Sequence, residues 1–488
     1  MQPKMKLLFF DDTHLMEKEN LDRRIGKPEL VSEATFQDPL ADLSFSYPTV
    51  FPNTETGGWR CLYQGILPAG MSASGAPAVV PGKSHFAACV IDSDDGVSWR
   101  APDLSQAVPI KERHVPHQVE PAPWDMFGEW GTCYYDERAE DPAQRIKGFV
   151  CKGHGPGTGI KDSWIVTSPD GLTWQGDLES ARWHPHGSDP SVYAYWNFHR
   201  NTYVLAIRPN NGDRRIAVME TPDWQSFSRP ELALSPDALD PDLAEIYGMP
   251  TFPYNRMFIG LVWLYRVPPA STQHGKFIGG TIDCQLAYSY DGWHFNRGLR
   301  DSFIANGAPG ELGAGCILPS SMVVTGDEIR FYSCSSRLEH AVYSQEIGIT
   351  QGAVLMHRMR LDGFVYLECP GGLGHLKTRA ILVEGDELAF NVQAPDGEVG
   401  VEISDPAGDP IEGFSFDDCE PCRADAIAWE PVWRDGRRFG SLRDRAVQLS
   451  VRLGNGRLYS ISGDFQLLTS KEGMRYVNFG TPPDPKGW

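Results

Sequence analysis

Ser93-Asp94-Asp95-Gly96-Val97-Ser98-Trp99 has the chemistry of a tight turn pinned to a core. An aspartate side chain accepts hydrogen bonds from the backbone that follows it, glycine supplies the positive φ, and the aromatic anchors the turn. The same order returns in Ser168-Pro169-Asp170-Gly171-Leu172-Thr173-Trp174 and Ser289-Tyr290-Asp291-Gly292-Trp293-His294-Phe295. A weaker copy is Thr221-Pro222-Asp223-Trp224-Gln225-Ser226-Phe227. One such box means little. Four in one chain mark a structural repeat.

A second repeat lies between the boxes. Tyr47–Phe51, Glu129–Tyr135, Asp189–Tyr195, Glu245–Phe252 and Glu311–Leu318 each run into alternating aromatic and β-branched residues. Each is followed by a further strand: Trp59–Gln64, Ile146–Cys151, Thr202–Ile207, Met257–Tyr265 and Glu328–Cys334. Short strands with regular turns and little helical periodicity predict an all-β fold. Only Pro241–Tyr247 suggests a helical turn. Five such units predict a five-bladed β-propeller. Past Gly371-Gly372-Leu373-Gly374 the box disappears and short alternating runs continue, which predicts a β-sandwich. The expected organisation is therefore a lead over 1–40 that braces the propeller, the propeller over 41–370, and the sandwich over 371–488.

Acidic residues number 64 against 44 basic ones, for a net charge of −20. Such a surface repels phosphate backbones and anionic lipid, so neither nucleic acid nor membrane is an expected partner. Leu7-Leu8-Phe9-Phe10 is too short for a secretory signal and ends at Asp11-Asp12. A cytoplasmic location is expected. Cys419 and Cys422 have CxxC spacing but no second pair or histidines to complete a zinc site. The cysteines are expected to be reduced. Homo-oligomerisation is left open.

In a propeller the innermost strand of each blade starts at one mouth of the central channel. Glu129, Asp189, Glu245 and Glu311 stand at matching starts in blades two to five. Blade one has no acid in register, but Asp38 and Asp42 lie just upstream of Tyr47. A funnel of carboxylates is the equipment for glycosidic cleavage, in which one acid protonates the leaving oxygen and another carboxylate attacks or activates water. Trp130, Tyr193, Tyr247, Trp263 and Tyr265 are suited to stacking on sugars. Tyr47, Gln64, Arg266 and His186, the last beside His184, are further candidates for holding substrate. The same acids could instead cap strands or bind a structural Ca²⁺ in the channel; no cofactor is otherwise required. HExxH, P-loop and GxSxG motifs are absent from the sequence.

Leu62-Tyr63-Gln64, Asp189-Pro190-Ser191-Val192 and Glu245-Ile246-Tyr247-Gly248-Met249-Pro250 together resemble the five-bladed propeller glycoside hydrolases of families 32, 43 and 68. Phe9-Phe10-Asp11-Asp12 and Gly413-Phe414-Ser415-Phe416-Asp417-Asp418-Cys419 make the chain most similar to bacterial proteins labelled glycosyl hydrolase family 32-like. The resemblance implies a propeller followed by a sandwich, acting on a carbohydrate substrate. By motif, Asp189 matches the stabilising aspartate, with Ser188 where those families have arginine. Glu245 matches the acid. Their blade-one Asn-Asp-Pro-Asn-Gly motif is missing, so the nucleophile or base falls to Asp42, Glu129 or Glu311. The expectation is a glycosidase acting on a small glycoside or oligosaccharide, a furanoside among them. The alternatives are a non-catalytic glycan-binding propeller and a sialidase-like hydrolase. The latter needs three arginines, toward which Arg208 and Arg266 are available.

Overall fold

The turn boxes form as their side chains dictate. The computed structural model describes residues 5–71, 77–79, 86–102, 104, 119, 129–153, 161–176, 182–183, 192–209, 214–268, 279–340, 347–348 and 350–479. In the first box Ser93 Oγ donates to Asp95 at 2.9 Å and accepts from the Gly96 amide at 2.8 Å. Asp95 in turn accepts from the Val97 and Ser98 amides, and these bonds pull its carboxyl down to about 2. Ser168/Asp170 and Ser289/Asp291 repeat the pattern. Gly96, Gly171 and Gly292 all take positive φ, and in the weaker copy Trp224 takes it at 60°.

The chain divides into two compact units, one of residues 28–325 with 329–358 and one of 1–27, 326–328 and 359–488. Both are built almost wholly of strands. In the first unit, the strands Thr49–Pro52, Trp59–Ile66 and Phe86–Ser93 make one antiparallel sheet. Glu129–Tyr135, Ile146–Gly153, Lys161–Ser168 and Arg182–Trp183 make a second, and Tyr193–Asn197, Thr202–Ile207, Ile216–Thr221 and Glu231–Leu234 a third.

An eight-stranded sheet follows, and it has two halves. The first half carries Ala244–Gly248, Met257–Arg266 and Thr281–Ser289, with Thr251–Tyr254 added on Met257–Arg266. A single parallel pairing, Ile282 with Cys316, joins it to Cys316–Thr325, Glu328–Ser336 and Gly352–Arg360. Glu29–Leu30, from the start of the unit, is the outer strand of that second half.

Neighbouring sheets are tied by named bonds. Thr49 Oγ1 accepts from the Cys133 amide at 3.2 Å, and Arg60 donates to the Asp170 carbonyl at 2.8 Å. Thr132 Oγ1 donates to the Val192 carbonyl. Tyr195 donates to the Gly292 carbonyl at 2.8 Å, and Trp263 Nε1 to the Pro319 carbonyl at 3.0 Å. The last half-sheet also reaches the first sheet: Tyr332 donates to the Gly96 carbonyl at 2.8 Å and Ser320 to the Pro48 carbonyl at 2.7 Å. The boxes at Gly96, Asp170 and Gly292 are thus docking points, each gripped by a polar side chain of an adjacent sheet.

The second unit holds a ten-stranded sheet. Its strands join through Ile381–Gln393, which pairs with Ala446–Gly454 at one end and along its length with Arg457–Leu467. Leu376, Val401, Leu449 and Val451 share one core with Phe390, Val392, Leu458 and Ile461. The N-terminal residues belong to this unit. Met5–Leu8 pairs with Arg457–Leu467, Leu15–Glu19 with Leu373–Thr378, and Asp22–Ile25 with Val365–Glu368. The expected lead over 1–40 therefore divides at Lys27. Its first part is sheet because its alternating apolar residues, Leu7 and Phe9, fill that core.

The Phe-Phe-Asp-Asp and Gly-Phe-Ser motifs are structural here. Asp11 accepts from the Thr13 amide at 2.8 Å and Asp12 pairs with Lys18 and Arg23. Phe414 packs on Trp433 at 5.0 Å, and Ser415 donates to Asp418 at 2.7 Å. The expected turn of helix at Pro241–Tyr247 is one turn closed by the Ala244 amide on the Pro241 carbonyl, and then strand. The described cysteines are free thiols. Among the described residues no helix is long and apolar enough to cross a membrane.

Candidate functional site

Strands buried on both faces deliver a polar side chain to the interior only where it finds a partner. Glu245 is such a side chain. It is 4% exposed, second in its strand, and paired across the ladder with Tyr265. Its Oε2 accepts from Arg214 Nη1 at 2.6 Å. Arg214 stands two residues before the strand Ile216–Thr221, in the neighbouring sheet, and its backbone carbonyl accepts from the Ile246 amide at 2.9 Å. Backbone and side chain together set the register of this contact.

Aromatic rings surround the pair. The Arg214 guanidinium lies 5.4 Å from the Tyr247 ring centroid and 5.5 Å from that of Tyr265. Arg208, just past the strand Thr202–Ile207 and buried, brings a second guanidinium to 5.0 Å from Tyr247. His340 meets Tyr265 at 4.7 Å and Tyr247 at 4.9 Å, and its Nδ1 lies 3.2 Å from the Tyr265 hydroxyl. That hydroxyl donates to the Gly279 carbonyl at 2.6 Å. Burial pushes the Tyr265 phenol far above its usual range, so it stays neutral. Trp263 is the shared floor: Tyr47 stacks on it at 5.8 Å, Tyr193 meets it edge-on at 5.3 Å, and Tyr247 lies at 6.3 Å.

The other sequence candidates fall in different places. Tyr47 joins the cluster in a strained backbone with φ of 44°. Gln64 is buried, and its Nε2 donates to the Phe45 carbonyl at 3.1 Å, which orients that turn. Arg266 turns away and makes a two-pronged pair with Asp283 at 3.0 and 3.2 Å. Asp42 is fully buried and accepts from the Ser44 amide at 3.0 Å and the Gly352 amide at 2.9 Å. Burial pushes its carboxyl up against the pull of those bonds. Asp38 is buried too and accepts from the Tyr63 hydroxyl at 2.9 Å. Glu311 is exposed in the turn before Cys316–Thr325, where it accepts from the Ala308 amide at 2.9 Å. The backbone of Glu129 opens the strand Glu129–Tyr135 opposite Cys151, as expected, and Trp130 follows it; the side chains of both lie outside the described residues. Asp189 and His186 lie outside them altogether.

The sequence reading missed Arg214 and His340. Neither sits in a repeat or motif. Arg214 precedes the strand Ile216–Thr221 and His340 follows Glu328–Ser336, so nothing local marks them as neighbours of Glu245. Among the described residues no group of three or more His, Cys, Asp or Glu is placed to hold a metal ion.

No family model matches the chain, and no curated protein matches it. Solved structures do. A structure titled as a glycoside hydrolase has 10% identity and a TM-score of 0.45, covering 69% of this chain and 92% of its own. The β-1,2-mannobiose phosphorylase from Listeria innocua, with β-1,2-mannobiose, has 11% identity and a TM-score of 0.43, covering 70% and 97%. The fructofuranosidase from Schwanniomyces occidentalis, with fructose, has 11% identity and a TM-score of 0.42, covering 91% and 98%. At this distance, what the site does rests on its own residues.

Proposed function

We propose that this chain is a glycoside hydrolase acting on a small glycoside or oligosaccharide, with its site around Glu245 on a five-bladed propeller formed by residues 28–358. Three sheets and the two halves of the eight-stranded sheet, each bonded to the next and the last bonded to the first, support the propeller. Residues 1–27 and 359–488 are read as the sandwich, on the strength of the one core shared by both halves of their sheet. Free thiols throughout the described chain favour a reducing, cytoplasmic setting.

The observation that carries the function is the buried Glu245–Arg214 pair among Tyr47, Tyr193, Tyr247, Trp263 and Tyr265. Aromatic faces accept the C–H faces of a sugar, and a fixed carboxylate answers the positive charge that grows at the anomeric centre. Glu245 accepts from a guanidinium and so is placed for the charged role. A general acid must instead hold a proton until the leaving oxygen takes it. The proton donor is then sought in Glu129 or Asp189, the acids that the sequence aligns with Glu245.

A screen of neutral nitrophenyl glycosides, furanosides included, tests the reading, with product stereochemistry followed by NMR. Turnover that falls by about 100-fold or more in Glu245→Gln, with the fold intact, is the expected result. Sugar binding without turnover on any substrate would leave a glycan-binding propeller.

A further inference from the structure

Tyr193 holds in the third sheet the place that Glu245 holds in its own. Each stands in a first strand, paired with the residue one short of the end of the second: Tyr193 with Ala206 of Thr202–Ile207, and Glu245 with Tyr265 of Met257–Arg266. Its ring reaches the same cluster. It meets Trp263 edge-on at 5.3 Å, while Tyr47 stacks on that indole, and the Tyr193 and Tyr247 phenols lie within electrostatic reach of each other.

The hydroxyl is what sets Tyr193 apart. Tyr265 donates its proton to the Gly279 carbonyl and Tyr195 to the Gly292 carbonyl. The Tyr193 hydroxyl is buried, on a residue 6% exposed, and has no hydrogen-bond partner among the described residues. A buried hydroxyl left unpaired costs stability, and phenylalanine would fill the same space without that cost. Burial holds the phenol far above its usual range, so it stays neutral, with one proton to donate and lone pairs to accept. A sugar hydroxyl, which also donates and accepts, is its natural complement.

We propose that Tyr193 is a specificity-determining residue, its hydroxyl hydrogen-bonding one hydroxyl of the neutral sugar held beside Glu245. The inference rests on the carbohydrate reading of the site and sharpens it. A site with a buried polar group to satisfy discriminates against a ligand that leaves that group unpaired. The site therefore tells sugars apart at one hydroxyl position.

Tyr193→Phe on the full chain is the test. Its first readout is the thermal midpoint without ligand, expected at or above that of the parent chain. A lower midpoint would show that the hydroxyl already has an internal partner, and would overturn the proposal. The second readout is kcat/KM on nitrophenyl glucoside, galactoside, mannoside and arabinofuranoside, and on the monodeoxy forms of each that is hydrolysed. Tyr193→Phe is expected to lose about tenfold on the parent glycoside. One monodeoxy substrate should lose about as much with the parent chain and nothing further with Tyr193→Phe. Equal losses on every deoxy substrate would mark a structural role and overturn the inference. Turnover that Tyr193→Phe leaves unchanged would sink the inference and keep the hydrolase. If none of these glycosides turns over, the hydrolase reading fails, and calorimetric binding of the same set decides. A single hydroxyl position lost with Tyr193→Phe then keeps the inference for a glycan-binding site, and no such position, or no binding, ends it.

Discussion

Arg214 donates to Glu245 at 2.6 Å while its guanidinium lies over both Tyr247 and Tyr265. One residue thus fixes the carboxylate and touches two of the rings around it. Arg214→Met is expected to lower kcat/KM by about 10–100-fold, the worth of a charge-assisted bond. Because the two side chains act as a unit, the double variant with Glu245→Gln should lose little beyond Glu245→Gln alone. Additive losses in that cycle would show that they work separately.

Asp42 tells a different story from Glu245. Its carboxylate is committed to the Ser44 and Gly352 amides, one from its own turn and one from 310 residues along the chain. A nucleophile needs an open oxygen. Asp42→Ala should therefore cost about 2 kcal/mol by leaving buried amides unpaired. Asp42→Asn should fold and keep turnover within a few-fold. Abolished turnover in a well-folded Asp42→Asn would restore it as a nucleophile.

His357 gives the first unit a pH signature. It is buried, and desolvation lowers its pKa to about 4. The unfolded chain, with a histidine near 6.5, takes up the proton first. Between these values the unfolded state binds more protons, so stability falls as pH drops from 6.5 toward 4. The expected loss is about 2 kcal/mol at pH 5 relative to pH 7. In His357→Leu that part of the slope should vanish, read from urea midpoints at the two pH values.

Gly292 and Gly310 both have positive φ, at 66° and 90°, but their surroundings differ. A Cβ at Gly292 would stand 2.6 Å from Asn197 and 2.7 Å from Phe258, whereas at Gly310 it meets open space. Gly310→Ala should cost about 1 kcal/mol, for backbone strain alone. Gly292→Ala should cost about 3 kcal/mol or more, since it also wedges apart two sheets. Equal losses would mean that the turn boxes do not dock neighbouring sheets.

Much of the strand pattern was legible. Thr202–Ile207 is a strand with the bounds read from its sequence, and Met257–Tyr265 is one residue short of the observed strand. The turn boxes were read as scaffold, and their bonds to Tyr332, Arg60 and Tyr195 make them so. The alignment of acids at strand starts was less faithful. Glu245 is inside its strand, while Glu311 stands in a turn five residues ahead of its own.

The sequence by itself determined what is local: where strands run, where Asp and Gly close turns, and that Glu245 sits beside Tyr247 in a strand. These depend on alternation and on side chains bonding to backbone two or three residues away. Tertiary structure alone decided the rest. It moved Leu7 and Phe9 into a core with strands more than 350 residues distant, and it buried Asp42 against the Gly352 amide. It also brought Arg208, Arg214 and His340 to one tyrosine. Such contacts join side chains from different strands and sheets. No period in the sequence records them, because they depend on how sheets stack and not on how any one strand alternates.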